Sequence, residues 1–337
     1  MKNKRQLLRN SLIIIHIFFA ILGLCIYISN YNLSEKLLVQ RELSKEQIIA
    51  KAGSLSVEDL LITVQNELNS FVFSFTKTND FSLIDLDNTR SGFLSYIGRA
   101  QRPINGIAYY NPSGTLSVIE DKQNLHLGEN QNFSKTPLIL WSKNPANREK
   151  IFISTPYIST VGGSVGKTIL VVAKPIYFGN TYKGTLAIRI LLEDLRNTFI
   201  NPLIADSTED AFIVDSHAVL IADKNNFLNK NLFAYAQKNK WSHYKDFEKK
   251  LQKIIAGNDT QTTWFFQNPK EKPTEFLIGA SRIGVPNTDK DLYLIVTTPK
   301  EEVLSLLTAL RLYGYFWLVF SVIMTLLGSI IVCLIKE

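Results

Sequence analysis

Two uncharged apolar runs, one at each end, constrain this chain more than anything between them. Leu12 to Ile28 is apolar apart from His16 and follows Lys2, Lys4, Arg5 and Arg9. As a helix that run rises about 26 Å, and Ser11 and Ser29 bring it near the thickness of a hydrocarbon core. Tyr313 to Ile335 is longer and carries no charge. It rises about 35 Å, and Tyr313, Tyr315, Phe316 and Trp317 crowd its first turns as an interfacial aromatic belt does. A signal peptide has a similar basic start, but no small-x-small cleavage site is evident and the first run is long for one. An uncleaved anchor is therefore expected, its basic flank in the cytoplasm. The second span returns the chain to that side, leaving about 280 residues outside the membrane. His16 reads as a tolerated polar residue facing a partner helix rather than a proton relay.

Composition removes several function classes. With 46% hydrophobic and 11% aromatic residues in 337, the chain has ample core for one or two packed domains. The net charge of +7 is spread along the sequence rather than gathered on one aromatic-interleaved face, so no nucleic-acid partner is expected. Cys25 and Cys333 each lie inside an apolar run, which leaves neither disulfide nor thiolate metal site between them. No Ser-His-Asp set, paired acids or metal cluster stands at a recognisable spacing, and His16, His126, His217 and His243 are scattered. A non-enzyme without metal or cofactor is the expectation.

Between the spans, patterning switches from helix to strand. From Leu33 the chain reads as a long helix, with Val57, Leu60, Leu61, Val64, Leu68, Phe71, Val72 and Phe75 on one stripe and a possible kink at Gly53-Ser54. Asn79 to Arg102 reads as short helices. Asn105–Tyr110 and Thr115–Glu120 form a hairpin about Asn111-Pro-Ser-Gly114, and Ile151–Ile158, Thr168–Tyr177 and Thr185–Leu191 complete an antiparallel sheet. The insertion from Asp121 to Lys150, broken at Thr136-Pro137 and Asn144-Pro145, can roof one face of that sheet. Gly162-Gly-Ser-Val-Gly-Lys-Thr168 lacks the leading glycine of a phosphate loop and runs into a strand, so a hairpin turn is expected there. After Asn201-Pro202 the strand pattern recurs at Ala211–Asp215, Val219–Ile221, Thr262–Gln267, Glu275–Ser281 and Leu292–Thr298, with a helical insertion to about Gly257. Two similar strand orders in succession suggest a duplicated unit.

That order resembles a double Cache sensory protein. The matching pieces are Ile153-Ser-Thr-Pro-Tyr157, Lys174-Pro-Ile176, Gly184-Thr-Leu-Ala-Ile-Arg-Ile190, Val214-Asp-Ser-His-Ala-Val-Leu220 and Leu292-Tyr-Leu-Ile-Val-Thr-Thr-Pro299. The resemblance implies an α+β fold: two tandem PAS-like antiparallel-sheet modules on a long N-terminal helix, flanked by two transmembrane helices. The expected boundaries are a cytoplasmic tail at 1–10, a span at 11–30, the long helix and lead-in at 31–104, and a membrane-distal module at 105–200. A membrane-proximal module at 201–300, an exit helix at 301–312, a second span at 313–335 and a cytoplasmic end at 336–337 follow. The implied function is that of a two-pass inner-membrane sensor, its centre outside the cytoplasm. It would bind a small molecule in the distal module and act through its helices on a signalling partner or a second copy of itself. An output domain beyond Ile335 is not part of the expectation. The alternative is a polysaccharide co-polymerase-like scaffold, which also has two terminal spans, but that group is expected to carry a proline in its second span.

The ligand expectation rests on four residues: Tyr109, Trp141, Tyr157 and Arg189. Family members that bind amino acids carry arginine and an aromatic residue in the insertion, where this chain has Lys135-Thr-Pro-Leu138. They carry an acid for the ligand amine where it has Arg189. A cation in that place argues against an amino acid and for a carboxylate. Tyr109, Trp141 and Tyr157 would wall the site, with Trp141 open to a second role as a core plug. Arg189 is either partly buried on the roofed face, or faces solvent or pairs with Glu193 or Asp194.

Overall fold

The computed structural model describes residues 2–77, 86–100, 103–204, 210–222, 230–258, 260–266, 273–288 and 290–334. The expectations for 79–85, 101–102, Gln267 and 335–337, and for the side chains of His16 and Cys333, lie outside the described residues. The chain divides into two compact units: the terminal segments Met1–Ser44 with Pro299–Glu337, and the central Lys45–Thr298.

The terminal unit is helical. It holds the first half of α1 (Lys2–Lys77), and later in the chain α7 (Lys300–Ser305) and α8 (Thr308–Leu334). Among the described residues, these two long helices have the length and apolarity to cross a membrane. Their large apolar side chains, such as Phe18, Phe19, Trp317 and Leu326, are exposed. Tyr27 packs directly on Gly314, where any β-carbon would collide with its ring. Arg311 Nε donates to the Tyr31 hydroxyl at 2.8 Å.

In the central unit α1 runs on unbroken, and its buried stripe of Ala50, Val57, Leu61, Val64 and Leu68 forms one wall of the core. The possible kink at Gly53 is not used as a break in the helix. Leu203 and Leu294 pack where a β-carbon at 53 would stand, so this glycine serves close approach. α2 (Leu86–Arg99) adds Phe93, Tyr96 and Ile97 to the same core.

The distal sheet comprises β1 (Ile104–Tyr110), β2 (Leu116–Asp121), β3 (Phe152–Ile153), β4 (Tyr157–Ile158), β5 (Thr168–Phe178) and β6 (Thr181–Leu191). Its order is β2-β1-β6-β5-β3, with β4 also paired to β5, so the expected strand 151–158 is two short pieces. α3 (Pro137–Ser142) lies in the insertion, and α4 (Leu192–Leu195) follows the last strand. The proximal sheet comprises β7 (Asp210–Asp215), β8 (Leu220–Ala222), β9 (Gln261–Phe266), β10 (Thr274–Ile283) and β11 (Leu292–Pro299), in the order β8-β7-β11-β10-β9. Counting β3 and β4 as one interrupted strand, the two orders are the same. α5 (Leu232–Lys238) and α6 (Tyr244–Ile255) fill its insertion.

Both opening hairpins turn by the same device. Asn111 Oδ1 accepts the backbone N–H groups of Ser113 and Thr115, each at 3.0 Å. Asp215 Oδ1 accepts those of His217 and Val219, each at 2.9 Å. A side chain that takes the N–H groups two and four residues ahead fixes the chain reversal locally. Each sheet presents one face to a shared core with α1, while the insertion roofs the other.

Candidate functional site

Strand alternation assigns the two faces of β6. Leu186, Ile188 and Ile190 belong to the core against α1, whereas Ala187 and Leu191 belong to the roofed cluster. Arg189 therefore points under the roof, where its side chain is only 2% exposed. Directly across in register lie Gly106 on β1 and, beyond it, Asp121 on β2. The guanidinium crosses β1 over the bare Cα of Gly106, where a β-carbon would run into Nη2 and Cζ. From the other side the turn at Gly162, with φ +60°, closes down; a β-carbon there would stand 2.5 Å from both Nη1 and Asp121 Oδ2. The guanidinium thus lies in a slot between two glycines.

Its donors are used unevenly. Nη1 donates to Val161 O at 2.9 Å and to Ser164 Oγ at 3.0 Å. Nη2 stands 3.6 Å from Asp121 Oδ2, an ion pair beyond hydrogen-bond distance. Nε and Nη2 have no hydrogen-bond partner among the described residues. Asp121 itself is held by backbone: Oδ1 accepts Gln123 N at 2.9 Å and Leu125 N at 3.1 Å, and Oδ2 accepts Gly163 N at 2.6 Å. Burial lowers the pKa of Arg189, opposed by Tyr110, Asp121 and Tyr157. Burial likewise raises the Tyr110 and Tyr157 phenols, so both are neutral donors at physiological pH.

The structure sorts the four residues expected from sequence. Tyr157, the first residue of β4 and opposite Ile169, is 41% exposed and lies in the electrostatic reach of Arg189 and Tyr110. Tyr109 does not join them. It sits on the α1 side, its ring 6.2 Å from Phe75 and its hydroxyl donating to Lys183 O at 2.9 Å. The expectation that Tyr109 walls the roofed face is corrected by alternation, which puts Tyr110 there instead. Trp141, on α3, packs its ring 5.3 Å from Phe152. Of the alternatives left open for Arg189, the buried one under the roof is the one observed: Asp121, distant in sequence, stands beside it, and among the described residues neither Glu193 nor Asp194 is its partner. Sequence reading missed Asp121, Gly106, Gly162 and Ser164. Gly106 left a trace as a glycine inside a strand, and Gly162 and Ser164 as part of the turn read at Gly162–Thr168.

No protein-family model and no curated protein matches the sequence. Solved structures do. The periplasmic sensory domain of the Campylobacter jejuni chemoreceptor Tlp1 superposes with a TM-score of 0.60 at 14% identity, covering 79% of this chain and 98% of that one. This is the double Cache fold. The extracellular domain of the histidine kinase candidate soHK1S-Z6 has a TM-score of 0.58 at 14% identity, covering 81% of this chain and 98% of that one. The ligand-binding domain of the Pseudomonas aeruginosa PAO1 amino acid chemoreceptor PctB, in complex with L-Gln, has a TM-score of 0.56 at 11% identity and covers 80% and 96%. At these identities the likeness is one of fold, and the double Cache modules here are the distal and proximal sheets with their roofs.

Proposed function

We propose that this chain is a membrane-anchored extracytoplasmic sensor, not an enzyme, that binds a small molecule under the roof of the distal Cache module. One observation carries the reading: a guanidinium buried on that face whose Nε has no hydrogen-bond acceptor among the described residues and whose Nη2 has only the 3.6 Å ion pair with Asp121. A buried donor without a partner is costly, and a ligand that supplies acceptors removes that cost. The fold supports the reading, because Tlp1, PctB and soHK1S-Z6 carry it in sensory or extracellular domains. The modules are taken as 105–200 and 201–300. The test is a thermal-shift screen of amino acids, amines, sugars and organic acids on the full chain in nanodiscs. At least one compound should stabilise the wild type and lose about 1 kcal/mol or more of binding in Arg189→Ala. A screen in which nothing binds defeats the reading.

The two apolar helices support a two-pass inner-membrane topology with both ends in the cytoplasm. Protease added to intact spheroplasts should then destroy the central unit, and protection of that unit would refute the topology.

The signal passes through the helices to a partner, and α1 offers a surface for a second copy. Ile48, Leu55 and Phe73 are 69%, 54% and 59% exposed, and their spacings of seven and eighteen residues are close to whole helical turns. Single cysteines placed along α1 from Ile48 to Phe73 should cross-link between copies with helical periodicity. A flat profile would count against the dimer.

A further inference from the structure

The hydrogen-bond inventory around Arg189 says more than that a ligand binds. Acceptors near the guanidinium are spent inside the roof. Val161 O takes Ser159 Oγ at 3.0 Å besides Arg189 Nη1, and the single Ser164 hydroxyl proton is shared between Val161 O at 3.1 Å and Ser159 Oγ at 2.9 Å. Ser154 Oγ takes the N–H of Val171 at 2.9 Å. Asp121 already takes three backbone N–H groups, and its one remaining direction faces Nη2. Donors, in contrast, remain: Nε and Nη2. These two atoms form one edge of the guanidinium, with parallel N–H bonds whose spacing matches the two oxygens of a carboxylate.

We infer that the distal site takes a small carboxylate that lacks an ammonium group, seated bidentate on the Nε/Nη2 edge of Arg189. This rests on the sensor reading above and names its ligand class. A carboxylate brings acceptors only, to a place short of them. An α-amino acid brings the same two oxygens plus a positively charged ammonium beside a guanidinium, where the carbonyl, serine and carboxylate acceptors of the roof are already taken. A hydroxyl or keto oxygen is compatible in the ammonium's place, because Tyr110, buried in the same roofed cluster, carries a phenol that can donate to it.

The test compares ligands of one shape. Calorimetry on the full chain in nanodiscs uses propionate, lactate, pyruvate and L-alanine, with acetate, succinate and benzoate to vary size. The wild type should bind at least one carboxylate, and should bind lactate at least about 10-fold more tightly than L-alanine. Arg189→Ala removes the buried cation and can unfold the module, so Arg189→Lys is the deciding variant. It keeps the charge and loses the fork, and carboxylate affinity should fall by about 10-fold or more while the melting transition persists. L-alanine binding as tightly as lactate overturns the ligand class but leaves the sensor reading standing. Carboxylate binding unchanged in Arg189→Lys overturns the anchor. A panel in which nothing binds overturns the inference, and a broader screen that is also silent overturns the sensor reading with it.

Discussion

The two Cache modules share one strand order, one hairpin device and one helix, yet they fill their roofed faces in opposite ways. The proximal roof is aromatic: Trp241, Phe247 and Trp264 are buried there, with ring centroids 5.1 and 5.2 Å apart along the row. The distal roof holds the Arg189–Asp121 pair instead. In the shared register, Tyr110 corresponds to Val214, and Arg189 to Thr297, whose Oγ1 donates to Asp210 O at 3.4 Å. The strand glycines differ in the same sense. Gly106 makes room for a guanidinium, while Gly279 makes room for the backbone of α1 at Glu46 and Gln47. One face is filled by packed aromatic rings, whereas the other buries an ion pair, which costs desolvation that packed rings do not.

The largest break in this comparison comes from the proximal plug. Trp264→Ala should cost about 3–5 kcal/mol of stability, because the ring is fully buried and its neighbours cannot collapse into the space. Chemical denaturation of the full chain reads the loss. If the modules divide labour as described, ligand binding under the distal roof survives at temperatures where the variant is still folded. Loss of binding without loss of structure would place a ligand contact in the proximal module instead.

Next in size is the distal pair. Asp121→Asn removes the charge that Arg189 faces and turns one accepting oxygen into an amide nitrogen that leaves a backbone N–H unpaired, so it should cost about 3 kcal/mol or more. The matching proximal change, Thr297→Val, removes only a long hydrogen bond and should cost about 1 kcal/mol or less. Equal costs in the two would mean that the distal pair is no more than ordinary packing.

A smaller effect tests the slot. Gly106→Ala drives a methyl group against the guanidinium, whose long side chain can shift, and to 2.9 Å from the backbone carbonyl of Glu120, and should cost about 1–3 kcal/mol. Gly279→Ala meets the backbone of α1, which has nowhere to go, and should cost more. The reverse order would show that Arg189 is held more rigidly than the helix.

The shared features were the legible ones. Alternation in Thr185–Leu191 offered the roofed face as one of two places for Arg189, and the recurrence of Ala211–Asp215 after Asn105–Tyr110 announced the second module, because both are properties of consecutive residues. The partner of Arg189 was not legible, since Asp121 reaches it only through two strand registers. Tyr109 was misplaced by one position, and in a strand one position is the whole difference between faces. Gly53 was read as a weak point in the helix because nothing local showed Leu203 and Leu294 packed against it.

The finest distinction between the modules is electrostatic, and pH reads it. The distal sheet also buries a carboxylate on its α1 side: Glu120, with no exposed side-chain surface, receives Arg90 Nη1 at 2.5 Å, while Oε2 has no partner among the described residues. Arg90 Nη2 also donates to Glu129 at 2.7 Å, and His126 Nδ1 lies 3.5 Å from Glu120. Burial pushes the Glu120 carboxyl above its ordinary value of 4.5, although His126 and Arg90 pull it down. The folded chain therefore holds this proton at a higher pH than the unfolded chain does. Between 4.5 and the folded value the native state binds more protons, so this group's contribution to stability falls as pH rises. Other carboxylates slope the opposite way, so the measured quantity is the stability of wild type minus that of Glu120→Gln, taken from melts between about pH 4 and 7. The difference should decline with rising pH across that window and then level off. Wild type minus Thr297→Val, the proximal control, should stay flat. A difference that rises with pH would mean that Arg90 and His126 outweigh burial at Glu120, and that this side of the distal sheet is a satisfied ion cluster.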